Sequence, residues 1–109
     1  MNDIKEPTLT LEETKATVAK LEHPRVTEEH IKNAIWAVRY LADGATTICI
    51  IEMDNGFKFI GTSTPADERN FNPDVGQRYA YENAFRQIWT HEGYLLRTQL
   101  HTPRGSSDD

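Results

Sequence analysis

An α+β fold is what the sequence predicts: two N-terminal helices, a central β-hairpin and a long C-terminal helix. Three observations predict it. Capping signals followed by apolar residues at helical spacing fill residues 10–42. Runs of β-branched residues then flank Asn55-Gly56, a hairpin signal. A second long helical pattern starts at Asn72-Pro73.

Each element has its own local cause. Thr10 and Glu13 form a capping box, and Leu11, Thr14, Val18 and Leu21 share the face of the helix it starts. His23-Pro24 ends that helix, because the residue before a proline is pushed out of the helical region. Thr27 is a second N-cap, with Val26 and Ile31 at the spacing of a hydrophobic staple. Glu28 and Glu29 in its first turn suit the helix dipole. Ile31, Ala34, Ile35, Val38, Leu41 and Ala42 recur at helical spacing and predict a helix over 28–42. Asp43-Gly44 then supplies its stop, Gly44 being free to take the left-handed conformation.

The period changes at residues 46–53, a β-branched run answered by a second run over 57–62. If Asn55-Gly56 is a two-residue turn, Met53 faces Lys58 and Ile51 faces Ile60. Cys49, Ile51, Met53 and Ile60 then share one face, with Ile48, Ile50 and Phe59 on the other. A lone hairpin is marginal in water, so helices or another subunit must cover these faces. Residues 64–72 read as a polar loop. The last helix carries Val75, Tyr79, Ala80, Ala84, Phe85, Ile88 and Trp89, and Gly93 ends or interrupts it before a helical Tyr94-Leu95-Leu96. Residues 1–9 are expected to be a flexible lead-in, 10–101 a single domain and 102–109 a disordered tail.

Composition bounds the function. The chain has 109 residues, 38% hydrophobic and 27% charged, as one globular domain requires. No apolar run approaches a membrane span, and the N-terminus lacks a signal-peptide layout. One cysteine, Cys49, excludes an intramolecular disulfide framework and points to the reducing cytoplasm. A net charge of −5 argues against phosphate-backbone binding, so nucleic acid is not the expected partner, although Arg69, Arg78, Arg86 and Arg97 could gather on one side.

No catalytic residues, metal or cofactor are expected. His23, His30, His91 and His101 are dispersed without metal-ligand spacing. His91-Glu92 reads as an exposed pair near a helix end, and Cys49 as an apolar filler among isoleucines. Glu52 and Glu82 form a carboxylate pair only if the fold brings them together. The candidate ligand-binding residues are Asn70, Phe71, Gly76, Arg78 and Asn83, around the start of the last helix. Free amides there attract anions, Arg78 could reach a phosphate and Phe71 could stack on a base. The alternative is structural: Asn72 caps, Phe71 packs on the helix and Asn70 closes the loop.

The ordered motifs Thr47-Ile48-Cys49-Ile50, Asn55-Gly56-Phe57, Gly61-Thr62-Ser63, Asn70-Phe71-Asn72, Gly76, Ala80-Tyr81-Glu82-Asn83-Ala84, Ile88-Trp89 and Glu92-Gly93-Tyr94-Leu95-Leu96 carry a resemblance. From about residue 27 to residue 96 the chain resembles the small phage protein family named for gene products forty-nine and sixty-six of two tailed phages. The loop 64–69 departs from the usual family pattern, a small-residue stretch leading to Asp-Pro. The resemblance implies a phage origin and brings no residue role with it. Small phage proteins of this kind are often host-takeover or counter-defence factors. The leading expectation is therefore a non-catalytic accessory protein that binds and inhibits a host protein in the host cytoplasm. The alternatives are sequestration of a small nucleotide signal at residues 70–78, and a minor nucleic-acid-associated regulator. Trp36, Tyr40, Tyr79 and Trp89 on helix faces point to a homo-oligomer.

Overall fold

A computed structural model of the chain describes residues 5–101. Its elements in order are α1 (Leu11–Val18), α2 (Glu28–Asn33), β1 (Ile35–Asp43), β2 (Thr46–Met53), β3 (Lys58–Ser63), a 3-10 turn (Glu68–Asn70) and α3 (Pro73–His101). The strands form one antiparallel sheet in the order β1-β2-β3, and α3 lies across β2 and β3 on one face. The α+β class is borne out, with both N-terminal helices, the hairpin and the long last helix present. The predicted tail, and the first four residues of the predicted lead-in, lie outside the described residues.

The capping box of α1 forms: the Thr10 amide donates to Glu13 Oε1 at 2.8 Å, and the Glu13 amide donates to Thr10 Oγ1 at 3.1 Å. The helix buries no residue and stops at Ala19, well before Pro24. Thr27 caps α2 by accepting from the His30 amide at 3.0 Å, and Ile31 is fully buried.

The predicted helix over 28–42 is corrected. It ends at Asn33, and residues 35–43 form strand β1 instead. Ile35, Val38 and Leu41 fit a helical stripe, but Trp36, Val38 and Tyr40 equally suit a pleated strand. The decision is tertiary, because β2 has a second edge and β1 satisfies it in unbroken register from Ala37 to Asp43, with one irregularity at Ile35/Ala37. The Asp54 amide donates to the Ala34 carbonyl at 2.8 Å, tying the end of α2 to the tip of the hairpin. Gly44 does adopt a positive φ of 60°, serving the two-residue Gly44-Ala45 turn between β1 and β2 rather than a helix end.

The β2–β3 register is corrected by one residue. Ile51 pairs with Phe59 and Ile50 with Ile60. The connection has three residues rather than two: the Gly56 amide donates to the Met53 carbonyl at 2.9 Å, and Met53 donates to Phe57 across the ladder. Gly56 alone takes the left-handed conformation, at φ 91°, as a three-residue hairpin requires. A one-residue slip moves every side chain of the strand to the opposite face. Phe59 and Gly61 therefore join Cys49, Ile51 and Met53 under α3, and Ile60 faces outward at 53% exposure.

The core is Ile31, Cys49, Ile51, Met53, Phe59, Ala80, Ala84, Phe85 and Ile88. Small residues meet at its centre, where Gly61 of β3 lies against Ala80 and Ala84 of α3. A Cβ at Gly61 would overlap the Ala80 carbonyl oxygen and the Ala84 amide nitrogen. Two side chains of α3 also hold the outer edge of β3. Asn83 Oδ1 accepts from the Thr62 amide at 3.1 Å, and Gln87 Nε2 donates to the Ile60 carbonyl at 2.7 Å. Gly93 does not break α3, which runs unbroken to His101. His91 is consequently mid-helix rather than near a helix end, edge-on to Phe59 at a ring separation of 5.1 Å. Glu92 beside it meets His30 Nε2 at 3.2 Å, joining α2 to α3.

Candidate functional site

The five sequence-predicted residues fall in three places. Asn70, Phe71 and Gly76 come together, with Ser63, Pro65 and Tyr79, around a cavity of about 270 Å³ between the loop and the first turns of α3. Gly76 is buried against Thr47, and a Cβ there would stand 2.5 Å from Thr47 Oγ1. Asn83 is two turns further along α3 and engaged with β3. Arg78 points away from the cavity. Its guanidinium pairs with Glu82 at 2.7 Å and lies 5.7 Å from the centre of the Tyr81 ring.

The start of α3 is capped as expected. Asn72 Oδ1 accepts from the amides of Asp74 at 2.9 Å and Val75 at 3.2 Å, so the donors an anion would use are already engaged. Asn72→Ala should cost about 1 kcal/mol of stability, as loss of a helix N-cap does. Urea unfolding measures it, and an unchanged midpoint would mean that the cap contributes nothing.

Sequence reasoning missed a second site. A groove of about 340 Å³ opens where α3 leaves β1 uncovered, between Tyr40 of β1 and Tyr81, Phe85 and Trp89 of α3. The three α3 aromatics recur every four residues and form a ladder with ring separations of 5.6 Å and 6.4 Å. Charged groups rim them as intrahelical pairs: Lys32 with Glu28 at 2.8 Å, Arg78 with Glu82, and Lys15 of α1 nearby. The hydrogen bond and charge of Lys32 hold the Glu28 carboxyl below its ordinary range, and Glu28 raises Lys32 in return, so this pair stays ionised around neutral pH. Burial raises the Tyr81 phenol, and raises Tyr40 with a smaller contribution from Cys49 beneath it. Both phenols are therefore neutral hydrogen-bonding groups at the groove wall.

Glu52 and Glu82 do not form a carboxylate pair. Glu52 meets Arg39 at 3.0 Å on the open face of the sheet, whereas Glu82 faces the groove on the helix side. No group of three or more His, Cys, Asp or Glu able to hold a metal ion occurs among the described residues. Cys49 is fully buried, and burial raises its thiol above the ordinary range.

Compared with known proteins, residues 26–100 match the model of the Phage protein (N4 Gp49/phage Sf6 gene 66) family. No curated protein and no solved structure matches the chain.

Proposed function

Because the chain belongs to this phage protein family, we propose that it is a non-catalytic host-takeover or counter-defence factor that binds and inhibits a host protein. The observation that carries this reading is the groove between β1 and α3. Exposed Tyr and Trp beside charged groups suit a protein-binding surface, because these side chains supply much of the energy at such surfaces. Trp89 is 38% exposed and Tyr40 37% exposed at the groove, so both have area left to bury against a partner. The host cytoplasm is the compartment this reading assigns. No helix among the described residues is long and apolar enough to cross a membrane.

A second reading, sequestration of a small nucleotide signal, is favoured by the cavity at Asn70, Phe71 and Gly76. Phe71 and Tyr79 offer aromatic faces and Asn70 an amide there, which suits a base, while among the described residues no cation lines it to take a phosphate. Native mass spectrometry of the protein isolated from infected cells separates the two readings. A host polypeptide in fixed ratio, lost in Trp89→Ala but kept in Phe71→Ala, is the expected result. Extra mass of a few hundred daltons per site, lost instead in Phe71→Ala, would replace the first reading with the second.

A further inference from the structure

The two edges of the sheet are treated differently. Strand backbone groups alternate between facing one neighbour and facing the other. On β3 the outward groups include the Thr62 amide and the Ile60 carbonyl, and α3 satisfies both through Asn83 and Gln87. On β1, Asp43 and Thr46 close the two-residue turn. The same alternation then turns the backbone groups of Val38, Tyr40 and Ala42 away from β2. Among the described residues no side chain or loop bonds to them.

Proteins blunt a free edge with proline, charged residues (lysine above all), a bulge, a short strand or a cover. The irregularity of β1 lies at Ile35/Ala37, outside the 38–43 stretch, and its two charges are of opposite sign. β1 has nine residues, none of them proline or lysine, and α3 does not cover it. Its apolar residues stay open on both faces: Val38 and Tyr40 on the helix side, Leu41 on the other at 54% exposure.

We propose that β1 pairs antiparallel with β1 of a second copy, Leu41 opposite Leu41 on the two-fold axis, to give a continuous six-stranded sheet. The strand's own charges select this partner and this register. Arg39 and Asp43 are its only charged residues, of opposite sign and two positions either side of Leu41. Antiparallel pairing about Leu41 sets each Arg39, whose Nη1 already meets Glu52 of its own chain, against Asp43 of the other copy, so that the guanidinium bridges two carboxylates in two favourable cross-strand pairs. Pairing about Arg39 would instead oppose two guanidinium groups. In the chosen register the outward-facing backbone groups of Tyr40 and Ala42 meet those of Ala42 and Tyr40 in the second copy, so the ladder bonds form. Both α3 helices lie on the same side of the joined sheet, and the uncovered strip with Val38 and Tyr40 becomes the floor of a channel between them. The inference stands on the sheet edge and is independent of which partner the aromatic groove takes.

Light scattering on the purified full chain should give twice the 12.5 kDa chain mass. Leu41→Lys, which places two ammonium groups on the axis, should return the protein to 12.5 kDa with its circular dichroism unchanged. Leu41→Cys tests the register. Opposed residues of a non-hydrogen-bonded antiparallel pair have Cα atoms about 4.5 Å apart, within disulfide reach. Mild oxidation should crosslink Leu41→Cys and leave Ile60→Cys, exposed on the same face of β3, uncrosslinked. Three results would overturn the proposal: a monomeric wild type, a dimer that survives Leu41→Lys, or a Leu41→Cys protein that crosslinks no better than the Ile60→Cys control.

Discussion

Gly61→Ala should lower the unfolding free energy by about 3 kcal/mol, the upper end of ordinary overpacking, where a domain holds only about 5–15 kcal/mol in all. The added Cβ would overlap the Ala80 carbonyl oxygen and the Ala84 amide, and would stand 2.9 Å from Ala84 Cα. These are backbone atoms inside α3, so no side-chain rotation relieves the overlap. Relief requires α3 to lift from β3, which would loosen Phe85 and Ile88 and stretch the Asn83 and Gln87 bonds to the strand. Gly76→Ala provides the contrast, since the nearest atom to its new Cβ is the Thr47 side-chain hydroxyl, which a χ1 rotation moves, rather than backbone. Its expected cost is smaller, about 1 kcal/mol. Urea titrations of both variants check this. A Gly61→Ala loss no larger than that of Gly76→Ala would show that the helix and strand are not in close contact.

The second large effect tests the hairpin register. Phe59→Ala should cost about 3–5 kcal/mol, as truncating a buried aromatic does, because Phe59 is 7% exposed and packs edge-on with both Phe57 and His91. Ile60→Ala should cost less than about 1 kcal/mol, since Ile60 faces away from α3. A two-residue turn at Asn55-Gly56 would reverse the order of the two losses, with Ile60 in the core and Phe59 outside. The pair of variants therefore decides between the registers without a structure. Equal losses would contradict the one-sided burial of this strand.

Only Asn70, Phe71 and Gly76 of the predicted residues come together at one cavity, and helical geometry shows why the others do not. Gly76 and Arg78 are two positions apart on α3, and neighbours at that spacing point to opposite sides of a helix. Arg78 could not share a cavity with Gly76 once α3 began at Pro73. Asn83 is seven positions on from Gly76 and so on the same side, but about 10 Å further along the axis, where it meets β3. The aromatic groove had a visible signal in the spacing of Tyr81, Phe85 and Trp89. It was hidden because its fourth wall, Tyr40, sits in a segment whose helical periodicity concealed a strand.

Local chemistry determined the parts of this protein that depend on a few adjacent residues. The Thr10, Thr27 and Asn72 caps, the hairpin near Asn55-Gly56, the start of α3 and the family signature all follow from short-range rules, because a cap or a turn is satisfied within about four residues. Tertiary structure alone decided the rest. Residues 35–43 became a strand because β2 had an edge to fill, a demand made from outside the segment. Phe59 rather than Ile60 entered the core because one extra residue in the turn reversed the faces of β3, and packing against Ala80 and Ala84 favoured the arrangement that placed Gly61 beneath them. The physical reason is common to both cases: where helix and strand, or two registers, are nearly equal in local energy, the free energy of burying one face against a distant element exceeds the local difference and makes the choice.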